Sequence, residues 1–307
     1  SHRLEELSKI TDRITVIRDG EYVKTLTTTE TSIPEVISLM VGRKVDQDQR
    51  PEVRPLSNEV VLKVEGISDS RLLKDVSFEL RKGEILGFAG LMGAGRTELA
   101  RALIGADSKT AGKIFLRGKE VKIKSPSDAV KSGIGYLSED RKKYGLLLIQ
   151  NVTFNVILSS IPSFSNKFGF LKTKPAGAIT REAIKQLSIR TPSENQYLKN
   201  LSGGNQQKVV ISKWLTRDCD ILIFDEPTRG IDVGAKDEIY KLLTKLASEG
   251  KSIIMISSEL PEVLRLSDRI AVMCDGRLTG IIDNKDANQN VIIELATKFS
   301  DKFTTVN

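Results

Sequence analysis

Cysteine is nearly missing from these 307 residues: Cys219 and Cys274 are the only two, and neither lies near another cysteine or a histidine at metal-binding spacing. That excludes a disulfide framework and a thiolate zinc site, and it suits a reducing compartment. Histidine is scarcer still, with His2 alone. Aromatic residues make up 5% and do not alternate with the basic ones. The formal net charge of +7 therefore reads as a solvated, lysine-rich surface, and no nucleic-acid partner is expected. Long apolar runs are lacking too. The longest, residues 145–149, 221–224 and 253–256, are far shorter than the roughly 20 residues a membrane-spanning helix needs. Any role at a membrane is expected to pass through partners. The chain opens Ser-His-Arg without an apolar leader or cleavage site, so no export signal is expected.

What is present begins with a repeat. Residues 1–23, SHRLEELSKITDRITVIRDGEYV, align without a gap on residues 257–279, SSELPEVLRLSDRIAVMCDGRLT. Identities fall at Ser1/Ser257, Leu4/Leu260, Glu6/Glu262, Asp12/Asp268, Arg13/Arg269, Ile14/Ile270, Val16/Val272, Asp19/Asp275 and Gly20/Gly276. Residues 33–41 and 289–297 then both read as short amphipathic helices. Residues 1–43 are accordingly expected to be the tail of a preceding domain that is otherwise cut away. Residues 44–58, KVDQDQRPEVRPLSN, hold two prolines and little to bury, which predicts a linker. Residues 59–307 read as one further domain, and the 39% hydrophobic content of the whole chain is enough for a core.

Within that domain VVLKVEGI and VSFELRKGEILGFAG are strand-like, and GKIFLRGKEVKIK reads as a hairpin. Residues 97–104 read as a helix, IGYLSED as a strand end, and residues 140–200 as mostly helical. CDILIFDEPT, KSIIMISSE and RIAVMCDG supply three later strands separated by helical stretches. Strands alternating with helices predict an α/β fold with a largely parallel, covered sheet.

Three motifs carry chemistry. GLMGAGRTEL, Gly90 to Leu99, has the G-x-x-G-x-G spacing of a phosphate-binding loop between a strand and a helix, with Arg96 where lysine is usual and Thr97 placed for Mg²⁺. A dinucleotide-binding turn is the rival, but the third glycine and the acidic residue about 20 positions on are missing. ILIFDEPTRGID puts Asp225 and Glu226 at a strand end, where one carboxylate suits a hydrated Mg²⁺ and the other an attacking water. LSGGNQQK sits just before the helical stretch VVISKWLTRD, so Ser202 and the amides after Gly203 offer a second anion-binding helix start.

The three motifs in this order resemble the ATP-binding cassette family over residues 59 to about 297. LSGGNQQK with DEPTRGIDVGAK, after SEDRK at residues 138–142, is similar to the second cassette of tandem ATPases of bacterial sugar importers of the ribose, galactose and xylose type. The resemblance implies a P-loop ATPase core with a mostly parallel sheet, an antiparallel β subdomain, and a helical subdomain at about residues 140–205. It implies ATP and Mg²⁺ as ligands. The nucleotide contacts would run from Gly90 through Leu91, Met92, Gly93, Ala94, Gly95 and Arg96 to Thr97 and Glu98, with Thr97 and Asp225 toward the metal and Glu226 as the catalytic carboxylate.

Family cassettes dimerise head to tail, so Ser202, Gly203, Gly204, Asn205 and Asp232 would serve the nucleotide of the preceding cassette. His2 would match that cassette's switch histidine. Implied partners are that cassette, membrane permease subunits and, indirectly, a periplasmic or extracellular sugar-binding protein, with the chain peripheral on the cytoplasmic face. Residues 145–161 are expected to touch the permease.

Four positions depart from the family pattern: Arg96 for lysine, Ser258 for the switch histidine, Glu139 or else Ser138 for the loop glutamine, and no aromatic residue for adenine among residues 66–73. Arginine is a planar fork and not a compact point charge, Ser258 has no ring nitrogen, and Glu139 is negative where an amide is usual. Losing such a contact typically costs roughly 10²–10³ in rate. The expectation is a site that binds nucleotide and hydrolyses it little. A soluble tandem cassette acting on ribosomes or nucleic acid is the alternative; a regulatory module without nucleotide is disfavoured by the retained Thr97 and Asp225.

Overall fold

The structure, a computed structural model, describes residues 10–18, 20–41 and 56–299. His2 and most of the expected linker lie outside the described residues.

The chain begins with an antiparallel hairpin of β1 (Arg13–Arg18) and β2 (Glu21–Thr27), followed by α1 (Ile33–Val41). An antiparallel sheet comes next, built from β3 (Val60–Ser68) and β4 (Val76–Arg81). β5 (Ile85–Gly90) opens the central sheet and leads through the phosphate-loop motif into α2 (Arg96–Leu103). β6 (Ala111–Leu116) and β7 (Lys119–Val121) complete the antiparallel sheet in the order β4-β3-β6-β7. The stretch VSFELRKGEILGFAG thus serves two sheets. Its turn carries Glu84, which is buried, accepts from the Arg81 N–H and pairs with Arg269.

The chain continues through α3 (Pro126–Lys131), capped by Ser125, to β8 (Ile134–Leu137). A π-type turn at Arg141–Gly145 leads to α4 (Val152–Ile157), a 3-10 segment at Leu158–Phe164, and α5 (Thr173–Gln186). Residues 140–200 are therefore helical in short pieces, broken by loops. α6 (Gly203–Thr216) starts inside LSGGNQQK, earlier than the sequence reading placed it; Gln206, Gln207 and Lys208 are good helix formers, and the two glycines fall in its first turn. β9 (Ile221–Asp225), α7 (Val233–Ser248), β10 (Ser252–Ile256), α8 (Leu260–Leu266), β11 (Arg269–Cys274), β12 (Arg277–Asp283) and α9 (Gln289–Thr297) close the chain.

The central sheet has the order β12-β11-β5-β10-β9-β8, all parallel except β12. Its strands are apolar on both faces, and the pleat sends alternate residues to two different cores. Leu222, Phe224, Ile253 and Met255 pack with α6, α7 and α8 on one side. Ile221, Ile223, Ile254, Ile256 and Phe88 pack on the other with α2 and the antiparallel sheet, where Phe78 meets Phe88 edge to face at 5.2 Å. Truncating a fully buried ring such as Phe224 to alanine would cost about 3–5 kcal/mol. This is the α/β P-loop architecture expected from the motifs.

The repeat seen in the sequence is also a repeat in three dimensions. Arg13 pairs with Thr27 as Arg269 pairs with Asp283, and the register shifts between Val16 and Ile17 as it does between Val272 and Met273. Thr28–Glu30 and Asn284–Asp286 are equivalent 3-10 turns, and α1 and α9 start and stop at equivalent residues. The difference lies in what covers them: β11 pairs with β5 in parallel, whereas β1 pairs only with β2 among the described residues.

Candidate functional site

The phosphate-loop motif spans the end of β5 and the start of α2. Gly95 takes φ +100° as the residue before the helix, a left-handed conformation that side chains other than glycine's resist. The N–H groups of Met92, Gly93 and Gly95 have no hydrogen-bond partner among the described residues, and those of Arg96 and Thr97 begin a helix. Together they form a cradle of amide donors at a helix N-terminus, which fits phosphate oxygens. Leu91 and Met92 project from the loop, Met92 with 98% of its surface exposed, while Ala94 is buried and Glu98 sits in the helix's first turn. The cradle is braced from behind: Gly276, in the turn between β11 and β12, donates its N–H to the Ala94 carbonyl and accepts from the Lys74 N–H at 2.9 Å.

Parallel pairing through β10 brings the end of the acidic strand near this loop. Asp225 ends β9, fully buried; its Oδ1 accepts from the Thr97 hydroxyl at 3.2 Å and its Oδ2 from the Tyr136 hydroxyl at 2.9 Å. Burial pushes the Asp225 carboxyl above its ordinary range, against those two hydrogen bonds and the charge of Arg96. A hydroxyl and a carboxylate so joined are hard oxygen donors, the set that Mg²⁺ prefers. Glu226 follows with φ +51°, its N–H bonded to the Ile256 carbonyl. Its carboxyl is likewise raised by burial, with the Ser258 hydroxyl donating to Oε2 at 3.1 Å and Arg96 opposing the shift.

Arg96 reaches across this site. Its Nη1 donates to the Ser257 carbonyl at 2.5 Å, so the guanidinium bridges the start of α2 and the end of β10. Burial lowers its affinity for the proton, opposed by Glu226, Asp225 and Glu98. Glu139 does not stand as an isolated charge: it pairs with Arg229.

The LSGG loop lies in other company. A Cβ on Gly203 would meet Arg141 and the Gly230 carbonyl, and one on Gly204 would meet Ala235, whereas one on Gly95 would meet Gly276, Leu73 and Leu72. Ser202 is the N-cap of α6, but its side chain does not cap. Asn205 donates to the Ser202 hydroxyl oxygen at 2.9 Å and accepts from the Arg190 N–H at 2.8 Å. Asp232 caps α7 by accepting from the Ala235 N–H at 2.9 Å. The side chains of Asn205 and Asp232 are thus engaged within the chain.

Three contributors carried no role in the sequence reading. Tyr136 lies opposite Ile223 in the β8–β9 register, which places its hydroxyl at Asp225. Arg141 donates to the carbonyls of Arg229 and Gly230, tying SEDRK to the turn after the acidic strand. Gly276 supports the phosphate loop. IGYL, SEDRK and the DG turn were all visible as strings, but nothing local in them says which distant loop they meet. No cluster of three metal-ligating His, Cys, Asp or Glu side chains occurs among the described residues, and no described helix is long and apolar enough to cross a membrane.

A family profile described as ABC transporter matches residues 73–229. The chain belongs to the ABC transporter family. A Burkholderia cenocepacia (strain HI2424) protein named for ribose/galactose/methyl galactoside import ATP binding is 57% identical over 298 residues, which is 97% of this chain and 58% of that protein. A protein of the same description from Albidiferax ferrireducens is 51% identical over 308 residues, covering 61% of its own length. The chain thus spans about three-fifths of the length of these curated relatives. Among solved structures, MJ1267, an ATP-binding cassette of an ABC transporter, superposes with a TM-score of 0.67 at 20% identity, covering 77% of this chain and 98% of that one. CbiO1 from Clostridium perfringens does so with a TM-score of 0.64 at 23% identity, covering 80% and 97%. These likenesses carry the fold.

Proposed function

We propose that this cassette is the C-terminal part of the ATP-binding subunit of a carbohydrate importer, working peripherally on the cytoplasmic face against membrane permease subunits. In this reading residues 1–43 end a preceding cassette, residues 44–58 link, and residues 59–307 form the second cassette. The identity to sugar-import ATP-binding proteins over 97% of the chain supports the substrate class. The equivalence of the β1–β2 and β11–β12 hairpins supports the tandem.

The cassette's own site binds Mg·ATP and turns it over poorly. Amides from Met92 to Thr97 hold the phosphates, and Thr97 with Asp225 holds the metal, which supplies neutralisation of charge on the β- and γ-phosphates. Glu226 is placed to accept a proton from water, but Ser258 can only donate a hydroxyl to it, and Arg96 spends one arm of its fork on Ser257. That last contact is the observation that carries the reading: the cation that belongs between phosphates is bonded to backbone. Ser202, Gly203 and Gly204, with His2, complete the preceding cassette's site instead. A groove of about 580 Å³ between α4 and α5, lined by Phe154, Leu171, Thr173 and Arg181, adjoins residues 145–161 and suits a permease segment.

Titration of the 307-residue chain with Mg·ATP tests the site. Saturable binding with negligible hydrolysis is expected. No binding at millimolar nucleotide, or brisk hydrolysis by the chain alone, refutes it.

A further inference from the structure

The N-terminus of α6 is built unlike an ordinary capped helix. A serine at the N-cap normally accepts a hydrogen bond from the amide two or three residues on, satisfying a donor that the helix cannot. Ser202 makes no such bond, and its side chain is exposed. Its oxygen is instead occupied by the Asn205 amide group, Nδ2 to Oγ at 2.9 Å. The direction of that bond is determined by chemistry on the other side of Asn205. Oδ1 receives the Arg190 backbone N–H at 2.8 Å; a backbone N–H can only donate, so the oxygen must face Arg190 and the NH₂ must face Ser202.

The arrangement is held from behind. Arg190 approaches Glu238 at 3.6 Å, and the buried Lys208, one turn along α6, donates to Glu238 at 2.8 Å and to the Ser188 carbonyl at 2.9 Å. A hydroxyl has one proton. With its oxygen accepting from Asn205, Ser202 keeps that proton for an acceptor outside the loop.

We propose that Asn205 is a positioning residue that aims the Ser202 proton at a nucleotide phosphate seated on the start of α6. The inference rests on the reading that Ser202–Gly204 complete another cassette's ATP site. The donors at that start are then Ser202 Oγ–H and the free amides of the first turn, all directed one way, and Asn205 touches the nucleotide only through Ser202. Replacing Asn205 by aspartate keeps an acceptor for the Arg190 N–H but removes the donor, so the Ser202 proton turns inward to the carboxylate.

The test is a double-mutant cycle on ATP hydrolysis by the chain joined to the cassette whose site it completes. Ser202→Ala and Asn205→Ala are each expected to lower turnover about tenfold, the weight of one charge-assisted hydrogen bond, with KM shifted less than about twofold. The double variant is expected to be no slower than Ser202→Ala, which a merely structural asparagine would not produce. Should Asn205→Ala fold poorly, Asn205→Asp retains the Arg190 contact and is expected to lose at least as much turnover. Multiplying effects, or wild-type turnover in Asn205→Asp, would overturn the proposal. Unchanged turnover in Ser202→Ala would instead remove the loop from any ATP site, and the proposal with it.

Discussion

Lys213 and Arg96 both donate to a backbone carbonyl, and the surroundings give the two contacts different consequences. Lys213 is 4% exposed, bonded to the Gly145 carbonyl at 2.8 Å and 4.5 Å from the Trp214 ring centre. Burial with no carboxylate at hand lowers its pKa to about 8 from the ordinary 10.5. Between those values the unfolded chain holds the proton and the folded chain does not, so stability rises with pH across that window. Urea midpoints measured from pH 8 to 10.5 should climb in the wild type relative to Lys213→Met, which lacks the titrating group; parallel curves would show that Lys213 is solvated. Arg96 sits where charge matters to chemistry. Arg96→Lys with Ser258→His restores a compact cation and a ring nitrogen, and should raise single-turnover hydrolysis at this site by tenfold or more when a partner cassette is supplied. An unchanged rate would place the defect elsewhere, with the Glu139–Arg229 pair the next position to alter.

Elements show the same contrast between equal sequence and unequal surroundings. Gly20 and Gly276 occupy equivalent hairpin turns at φ +85° and +77°. A Cβ at Gly276 would lie 1.8 Å from the Leu72 carbonyl oxygen, whereas at Gly20 it would meet nothing within 4 Å. Gly276→Ala should therefore be severe, lowering Tm by about 10 °C or more, because backbone must move and the phosphate loop loses its brace. Gly20→Ala pays only for a left-handed alanine, about 1 kcal/mol and a few degrees at most. Equal losses would mean that the first hairpin already has its cover within this chain. The element boundaries themselves were largely readable. Both amphipathic helices of the repeat lie where their periodicity puts them, and β6–β7 is the expected hairpin. The β4–β5 stretch was not read as a change of sheet, since β4 alternates and β5 is buried throughout, and nothing local in those two patterns assigns them to different sheets.

For the whole molecule the governing observation is that the helix starts at Gly95 and Gly203, both proposed to take phosphate, have no neighbours in common. Gly95 packs on the loop between β3 and β4, at Leu72 and Leu73, and on the β11–β12 turn; Gly203 packs on Arg141 and Gly230. On the proposed reading a complete site needs a second cassette. Hydrolysis by the chain alone should be negligible, and joining the preceding cassette should restore it. Gly203→Asp, which sets a carboxylate against the Arg141 guanidinium and the Gly230 carbonyl, should abolish the restored activity, as should His2→Ala. Activity surviving either change would reassign those residues.

Motif order, strand apolarity and the repeat were carried by residue type and spacing, because a phosphate cradle, a two-faced buried strand and a hairpin turn each demand particular side chains at short range. The phosphate loop, the acidic strand and the LSGG motif could all be read from the linear chain. Partnerships could not. That Tyr136 holds Asp225, that Arg96 bonds Ser257, and that Glu139 is neutralised by Arg229 depend on contacts between residues many tens of positions apart, made when parallel strands align. Local propensity carries no information about such pairs; packing of the sheet against its two cores creates them.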